Sequence, residues 1–194
     1  MNDQSTVAIP RSSTQWLKTY YFTRAAVSIA WIAAVVLVAR NVSPVAAALL
    51  VVYPAWDAFA NYLDAAKSGG LRANFSQTLN LAVSAITAIG VVVALGLRMN
   101  AVLPVFGAWA IFAGLFQLVT AVRRWKSFGA QWAMGLSGLQ SVLAGFFFFA
   151  KMAHDAPTAA LAIAPYAGFG AFYFLVSAVW LTIKDARRPN VAGV

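Results

Sequence analysis

Chemistry in this chain has few residues to work with: 194 positions carry five aspartates and no glutamate, one histidine and no cysteine. One of those aspartates, Asp57, stands inside a long apolar stretch. Ten residues separate it from Lys67, about 15 Å if the stretch is helical. A charge at that depth in hydrocarbon costs roughly 2.5–3.5 kcal/mol on insertion scales, so it must face protein or water and find a partner. Tyr53, Asp57, Asn61 and Asp64 recur at i, i+4, i+8 and i+11, one stripe of one helix. Arg24 lies at a similar depth on the preceding apolar stretch, counting outward from the turn near Val42, so pairing with Asp57 is feasible. A second polar stripe, Gln77, Asn80, Ser84 and Thr87, has the same helical spacing and could face the first. Gln117, Thr120, Gln140, Tyr166, Tyr173 and Ser177 add isolated polar groups.

Two kinds of chemistry fit such stripes. An interhelical hydrogen-bond network that fixes register accounts for Ser, Thr, Asn and Gln, at about 0.6–1.7 kcal/mol per bond. A titrating or solute-binding site accounts better for Asp57, because a mid-span carboxylate is costly. The absence of cysteine removes disulfides, thiolate metal sites and thiol catalysis. His154 with Asp155 is the one His-carboxylate pair. It falls in an outer loop before Pro157, where His154 is a candidate pH sensor rather than a catalyst. No metal-ligand cluster, nucleophile elbow or phosphate loop is present, and Gly69-Gly70 reads as a turn. No enzyme, metal or cofactor is expected.

The elements that must hold these groups can be read from composition. Hydrophobic residues make up 62% of the chain and charged residues 10%, far from the roughly one-quarter charged share of soluble domains. Six apolar stretches, 20–40, 44–66, 75–98, 101–123, 129–151 and 158–184, are each long enough to cross about 30 Å of hydrocarbon as a helix. The expected fold is an all-α polytopic bundle of six transmembrane helices over 20–184, with polar segments 1–19 and 185–194 as cytoplasmic tails. The polar first fifteen residues lack the pattern of a cleaved signal peptide.

Eleven Lys and Arg residues fall on the side of the N-terminus, including Lys18, Lys67, Arg72, Arg123, Arg124, Lys126 and Lys184, against Arg40, Arg98 and Lys151 opposite. By the positive-inside rule both termini are cytoplasmic. Trp16, Tyr20, Tyr21, Trp125, Trp132 and Trp180 mark the same interface. The net charge of +9 is spread over several membrane-flanking segments, which suits anionic lipid headgroups rather than nucleic acid.

The even stretches share a pattern of aromatic, small and aromatic residues: Tyr53-Pro-Ala-Trp56-Asp57-Ala-Phe59, Phe106-Gly-Ala-Trp109-Ala-Ile-Phe112 and Tyr166-Ala-Gly-Phe169-Gly170-Ala-Phe172. Their separations, 53 and 60 residues, imply one helical hairpin per repeat, hence three parallel repeats entering from the same side. In this alignment Ala110 and Gly170 stand where the first repeat has Asp57. Odd stretches echo one another through Ser28, Ser84 and Ser137. Small residues at four-residue spacing, such as Ala110 and Gly114 or Ser137, Ser141 and Gly145, favour close helix approach and leave self-association open.

Over about 101–150, Phe106-Gly-Ala-Trp109 with Gly114, the basic turn Arg123-Arg-Trp-Lys126, and Leu136-Ser137-Gly138 leading to Gly145 resemble the HdeD-like acid-resistance membrane proteins. That resemblance implies a six-helix protein of the bacterial inner membrane, linked in some members to acid or envelope stress, with no agreed activity and no site residues to carry over. Two functions stand as expectations: a non-catalytic membrane module, or a small-solute or proton-linked channel, transporter or sensor built on Asp57.

Overall fold

A computed structural model describes residues 11–39, 43–124, 131–151 and 159–187. Six long helices account for nearly all of them, and no strand occurs among the described residues. They are α1 (Arg11–Ala34), α2 (Ser43–Lys67), α3 (Phe75–Leu97), α4 (Val102–Arg124), α5 (Gln131–Lys151) and α6 (Ala159–Ala186). Five stretches, Gln15–Ala39, Ser43–Lys67, Phe75–Leu97, Val102–Val119 and Ala159–Ala186, are long and apolar enough to cross a membrane. The outward faces carry exposed Leu, Ile, Val and Phe throughout, as expected where lipid replaces water as the solvent.

Three departures from simple helices have local causes. α1 begins at Arg11, well before its apolar stretch, and ends in a π-helical turn over Val35–Ala39. Pro54 sits inside α2 and Pro165 inside α6; each lacks the N–H that would bond one turn back. One residue from the carbonyl that Pro54 leaves without its helical donor, the Trp31 indole donates to the Leu49 carbonyl at 2.8 Å, tying α1 to α2.

The α2–α3 turn is made by Gly69 and Gly70, both at positive φ (100° and 90°). The Gly70 N–H caps α2 by donating to the Ala65 carbonyl at 2.8 Å, and Asn74 seals the turn through the Ser68 and Gly70 carbonyls. Space is open around Gly70, since a Cβ there would meet nothing within 4 Å, so the conformational penalty acts alone. Gly70→Ala is expected to cost about 1 kcal/mol, readable as a small drop in melting temperature in detergent.

Helix pairing alternates around the bundle. The extensive interfaces are α2 with α3, α4 with α5, and α6 with α1, while α1–α2 and α5–α6 touch slightly and α3–α4 to an intermediate degree. Close packing therefore lies across the turns at the basic end, and the terminal helices close the ring. Lys18 and Asp185 pair at 2.6 Å between α1 and α6.

Burial recurs at a fixed offset. Ala46, Val102 and Ala159 are fully buried, as are Leu50, Phe106 and Ile163, then Val35, Val91 and Phe148, then Ala65, Ala121 and Ala178. Each set is separated by 56 and 57 residues. The same offset relates three short contacts. Ser28 lies in hydrogen-bonding range of the Tyr53 hydroxyl, the Trp109 indole donates to Ser84 Oγ at 3.1 Å, and Ser141 Oγ meets the Tyr166 hydroxyl at 3.0 Å.

The offset corrects the alignment drawn from the aromatic pattern by about one helical turn in two places. Trp109, not Phe106, occupies the position of Tyr53 and Tyr166, and Ser141, not Ser137, matches Ser28 and Ser84. Ala113, rather than Ala110, then corresponds to Asp57 and Gly170. The cause is degeneracy: α4 carries aromatic residues at both 106 and 109, both buried toward the axis, and which of them lies level with Tyr53 and Tyr166 is set by packing.

Candidate functional site: a polar cavity beneath an aromatic floor

Asp57 is held on the inner face of α2 by three donors. Its Oδ1 takes an ion pair from Arg24 Nη2 of α1. Its Oδ2 accepts from Ser84 Oγ of α3 at 2.7 Å and from Asn61 Nδ2 at 3.0 Å. The expected Arg24–Asp57 pairing thus forms, and the two polar stripes of α2 and α3 do face each other. Arg24 is itself fixed: Nη1 donates to the Tyr20 hydroxyl at 2.9 Å, and the guanidinium lies over the Phe174 ring at 4.2 Å from its centroid. Stacking of this kind suits the planar, weakly hydrated guanidinium.

The pair borders open space. Asp57 and Arg24 keep 18% and 12% of their side-chain surface exposed, and both line a cavity of about 190 Å³ at the centre of the bundle. One water needs roughly 10–15 Å³ of such space, so several fit. The 56/57-residue offset runs through its lining: Tyr53, Trp109 and Tyr166 in one layer, Asp57, Ala113 and Gly170 in the next, Asn61, Gln117 and Phe174 in a third, with Arg24, Asn80 and Ser137 from the odd helices. The charged pair occupies one sector of three. In the other two, small residues stand in for the aspartate and short neutral ones for the arginine, and this substitution leaves the space open.

The cavity ends on aromatic rings. Tyr53 and Trp109 meet edge to face at 5.9 Å, and Trp109 and Tyr166 at 6.1 Å. Past them, toward the helix ends near Arg98 and Lys151, the fully buried layers of Leu50, Phe106 and Ile163 and of Ala46, Val102 and Ala159 fill the axis. Among the described residues the polar lining therefore lies on the side of Lys67, Arg124 and Lys184.

The remaining candidates divide. Asn80 lines the cavity, as do Tyr53 and Asn61. Ser84 sits fully buried behind it, bridging Asp57 and the Trp109 indole. Asp64 lies outside the lining: Gln77 Nε2 reaches its Oδ2 at 3.2 Å, while its buried Oδ1 has no partner. Thr87 turns back to its own helix, bonding the Val83 carbonyl at 2.8 Å. His154 and Asp155 lie outside the described residues. Gln117, Gln140 and Tyr173, isolated in the sequence, converge on the cavity, where the Tyr173 hydroxyl donates to Gln140 Oε1 at 3.0 Å. Ala113 and Gly170 carry no polar atom to announce them, and their small size became meaningful only with the 56/57-residue correspondence to Asp57.

α4 and α5 cross closely beside the cavity and past its aromatic floor. Gly107 faces Gly145, and Gly114 faces Gly138. Ser141, between the glycines of α5, donates to the Ala110 carbonyl at 2.8 Å.

Together these features define a multi-pass, all-helical membrane protein with a polar cavity at its axis. The family model described as a short repeat of unknown function (DUF308) matches residues 82–150, the segment from α3 through α5 that contains Ser84, Trp109 and the glycine crossing. No curated protein and no solved structure matches the chain.

Proposed function

We propose that the chain is a non-catalytic protein of the bacterial inner membrane, whose central cavity is a vestibule open toward the cytoplasm that receives a small solute. Six helices cross the membrane as three parallel hairpins with both termini cytoplasmic. The 56/57-residue recurrence of buried and cavity-lining positions supports the repeats, and the 21 residues of α5 supply about 30 Å of helix. The excess of Lys and Arg at one end supports the orientation. Anionic lipids are the partners of those basic turns, and the exposed Ala26 and Ala30 of α1 leave a small-residue face for self-association. The resemblance to HdeD-like proteins supports a place in acid or envelope stress.

One observation carries solute binding over a purely structural role: Arg24 and Asp57 are ion-paired to each other yet line a cavity large enough for several waters. A polar network serving register alone would have closed that space, since helical bundles pack to near-crystalline density. The apolar layers beyond the aromatic floor make it a one-sided site, suited to binding or sensing and requiring rearrangement for passage.

The absence of cysteine gives a direct test. Ser137→Cys in the cavity should react with a membrane-impermeant thiol reagent in inverted vesicles and stay unreactive in right-side-out ones. Ile163→Cys, within the apolar layer, should react in neither. Reaction of Ser137→Cys from the outer face, or from neither face, would end the vestibule reading.

A further inference from the structure

We propose that the solute received by this vestibule is a small neutral molecule carrying both a carbonyl-type acceptor and an N–H donor, of the amide or urea class, bound in the two sectors opposite the ion pair. This deepens the vestibule reading and rests on it.

Charge comes first. The walls hold one cation and one anion, Arg24 and Asp57, and they neutralise each other at contact. Asp57 already takes three donors, from Arg24, Ser84 and Asn61, and its charge is met by Arg24, so an incoming cation would bring a charge that the cavity does not balance. Arg24 has its Nη atoms on Asp57 and Tyr20, one face against Phe174 and its charge already met by Asp57, so an incoming anion would bring a charge that the cavity does not balance. Removing one partner from such a pair costs far more than a neutral contact returns. A neutral guest disturbs neither.

Shape and hydrogen bonding narrow the class. The sectors around Ala113 and Gly170 are bounded by neutral polar side chains, Asn80, Gln117, Ser137 and Gln140, and by ring faces and edges of Trp109, Tyr166 and Phe169. Carboxamides offer a donor and an acceptor side by side, and a planar amide returns the same pair while lying against aromatic walls. Gln117 and Arg24, two residues of the lining, also keep Oε1 and Nε buried without a partner; one is an acceptor and the other a donor. A guest with only donors or only acceptors would leave one kind unanswered, and unpaired groups of this kind are what discriminates between analogues.

The space is real room at the backbone as well. A Cβ built on Gly170 would meet only the Tyr53 hydroxyl, at 3.8 Å, so a side chain there can grow into the cavity without moving a helix.

The test uses the full chain in lipid nanodiscs and saturation-transfer NMR, with acetamide and urea as neutral probes and acetate, phosphate and guanidinium as charged ones. Acetamide and urea should give saturable transfer that Gly170→Leu weakens at least tenfold while thermal stability holds or rises, because the new side chain fills the site. Asn80→Leu, which makes none of the bonds holding Asp57, should weaken it similarly and stands in if Gly170→Leu fails to fold. Charged probes that bind with the same sensitivity while acetamide does not would overturn the solute class and leave the vestibule intact. Silence from every probe, in a protein whose Ser137→Cys labels from the cytoplasmic side, would overturn the inference alone. Unaltered acetamide transfer in both variants would place its binding elsewhere and also overturn it.

Discussion

Asp57→Ala is expected to destabilise the folded bundle by about 3 kcal/mol, at the low end of what removing one partner of a buried pair costs, with a corresponding fall in the midpoint of denaturant or SDS unfolding. The substitution strands the Arg24 guanidinium between Tyr20 and Phe174 with no anion, and a guanidinium cannot shed its charge. Access to the cavity moderates the loss, since Arg24 keeps 12% of its side chain exposed. Arg24→Leu should cost less, because Asp57 retains Ser84 and Asn61 as donors. The double variant Arg24→Leu/Asp57→Ala should recover most of the loss, as replacing a whole pair by apolar groups does elsewhere. A double variant as unstable as the sum of the singles would show that the two residues act independently, against the contact between them.

A loss of similar size, about 2–3 kcal/mol, is expected from a single methyl group at the α4–α5 crossing. A Cβ on Gly114 would lie 2.5 Å from the Gly138 carbonyl oxygen and 2.9 Å from the Val142 nitrogen. One on Gly145 would lie 2.6 Å from the Gly107 oxygen and 2.5 Å from Ile111 Cγ1. Backbone atoms block the way in both cases, so the helices must separate, and with them the Ser141 contacts to Ala110 and Tyr166. Gly114→Ala and Gly145→Ala should therefore lower the melting temperature and broaden the size-exclusion profile. Gly96→Ala supplies the control: nothing lies within 4 Å of that position, and it should be neutral or slightly stabilising. Equal behaviour of Gly114→Ala and Gly96→Ala would remove the close crossing as a source of stability.

These two effects divide differently between sequence and structure. The ion pair was legible from depth: helical rise fixes how far Asp57 and Arg24 lie from their basic ends, and the energy of an intramembrane charge demands a partner. The small-residue stripes of α4 and α5 were legible as close-approach faces. Their pairing was not, because four-residue spacing of Gly, Ala and Ser also occurs in α1 and says nothing about which helix comes near. Asp64 shows the opposite failure. It falls on the same stripe as Asp57, yet it meets Gln77 at the α2–α3 interface instead of the cavity, since a stripe three turns long spans more than one neighbour.

By itself the sequence determined the features that local periodicity and solvent dictate: an all-helical chain, the approximate bounds of its apolar helices, the asymmetry of basic residues, and the depth of each polar group. These depend on a rise of about 1.5 Å per residue and on the cost of charge in hydrocarbon, both independent of partners. Tertiary structure alone decided the rotation of each helix about its axis. Together with the depth at which α4 seats, it put Trp109, one turn from Phe106, level with Tyr53 and Tyr166 and aligned Ala113 and Gly170 with Asp57. It closed the ring through α1 and α6 and left a cavity where two small residues stand opposite one charged pair. A shift of a single residue turns a helix by about 100°, so no pattern of similar residues one turn apart can choose among them. The packing of six helices against one another can, and here it buries Leu50, Phe106 and Ile163 together.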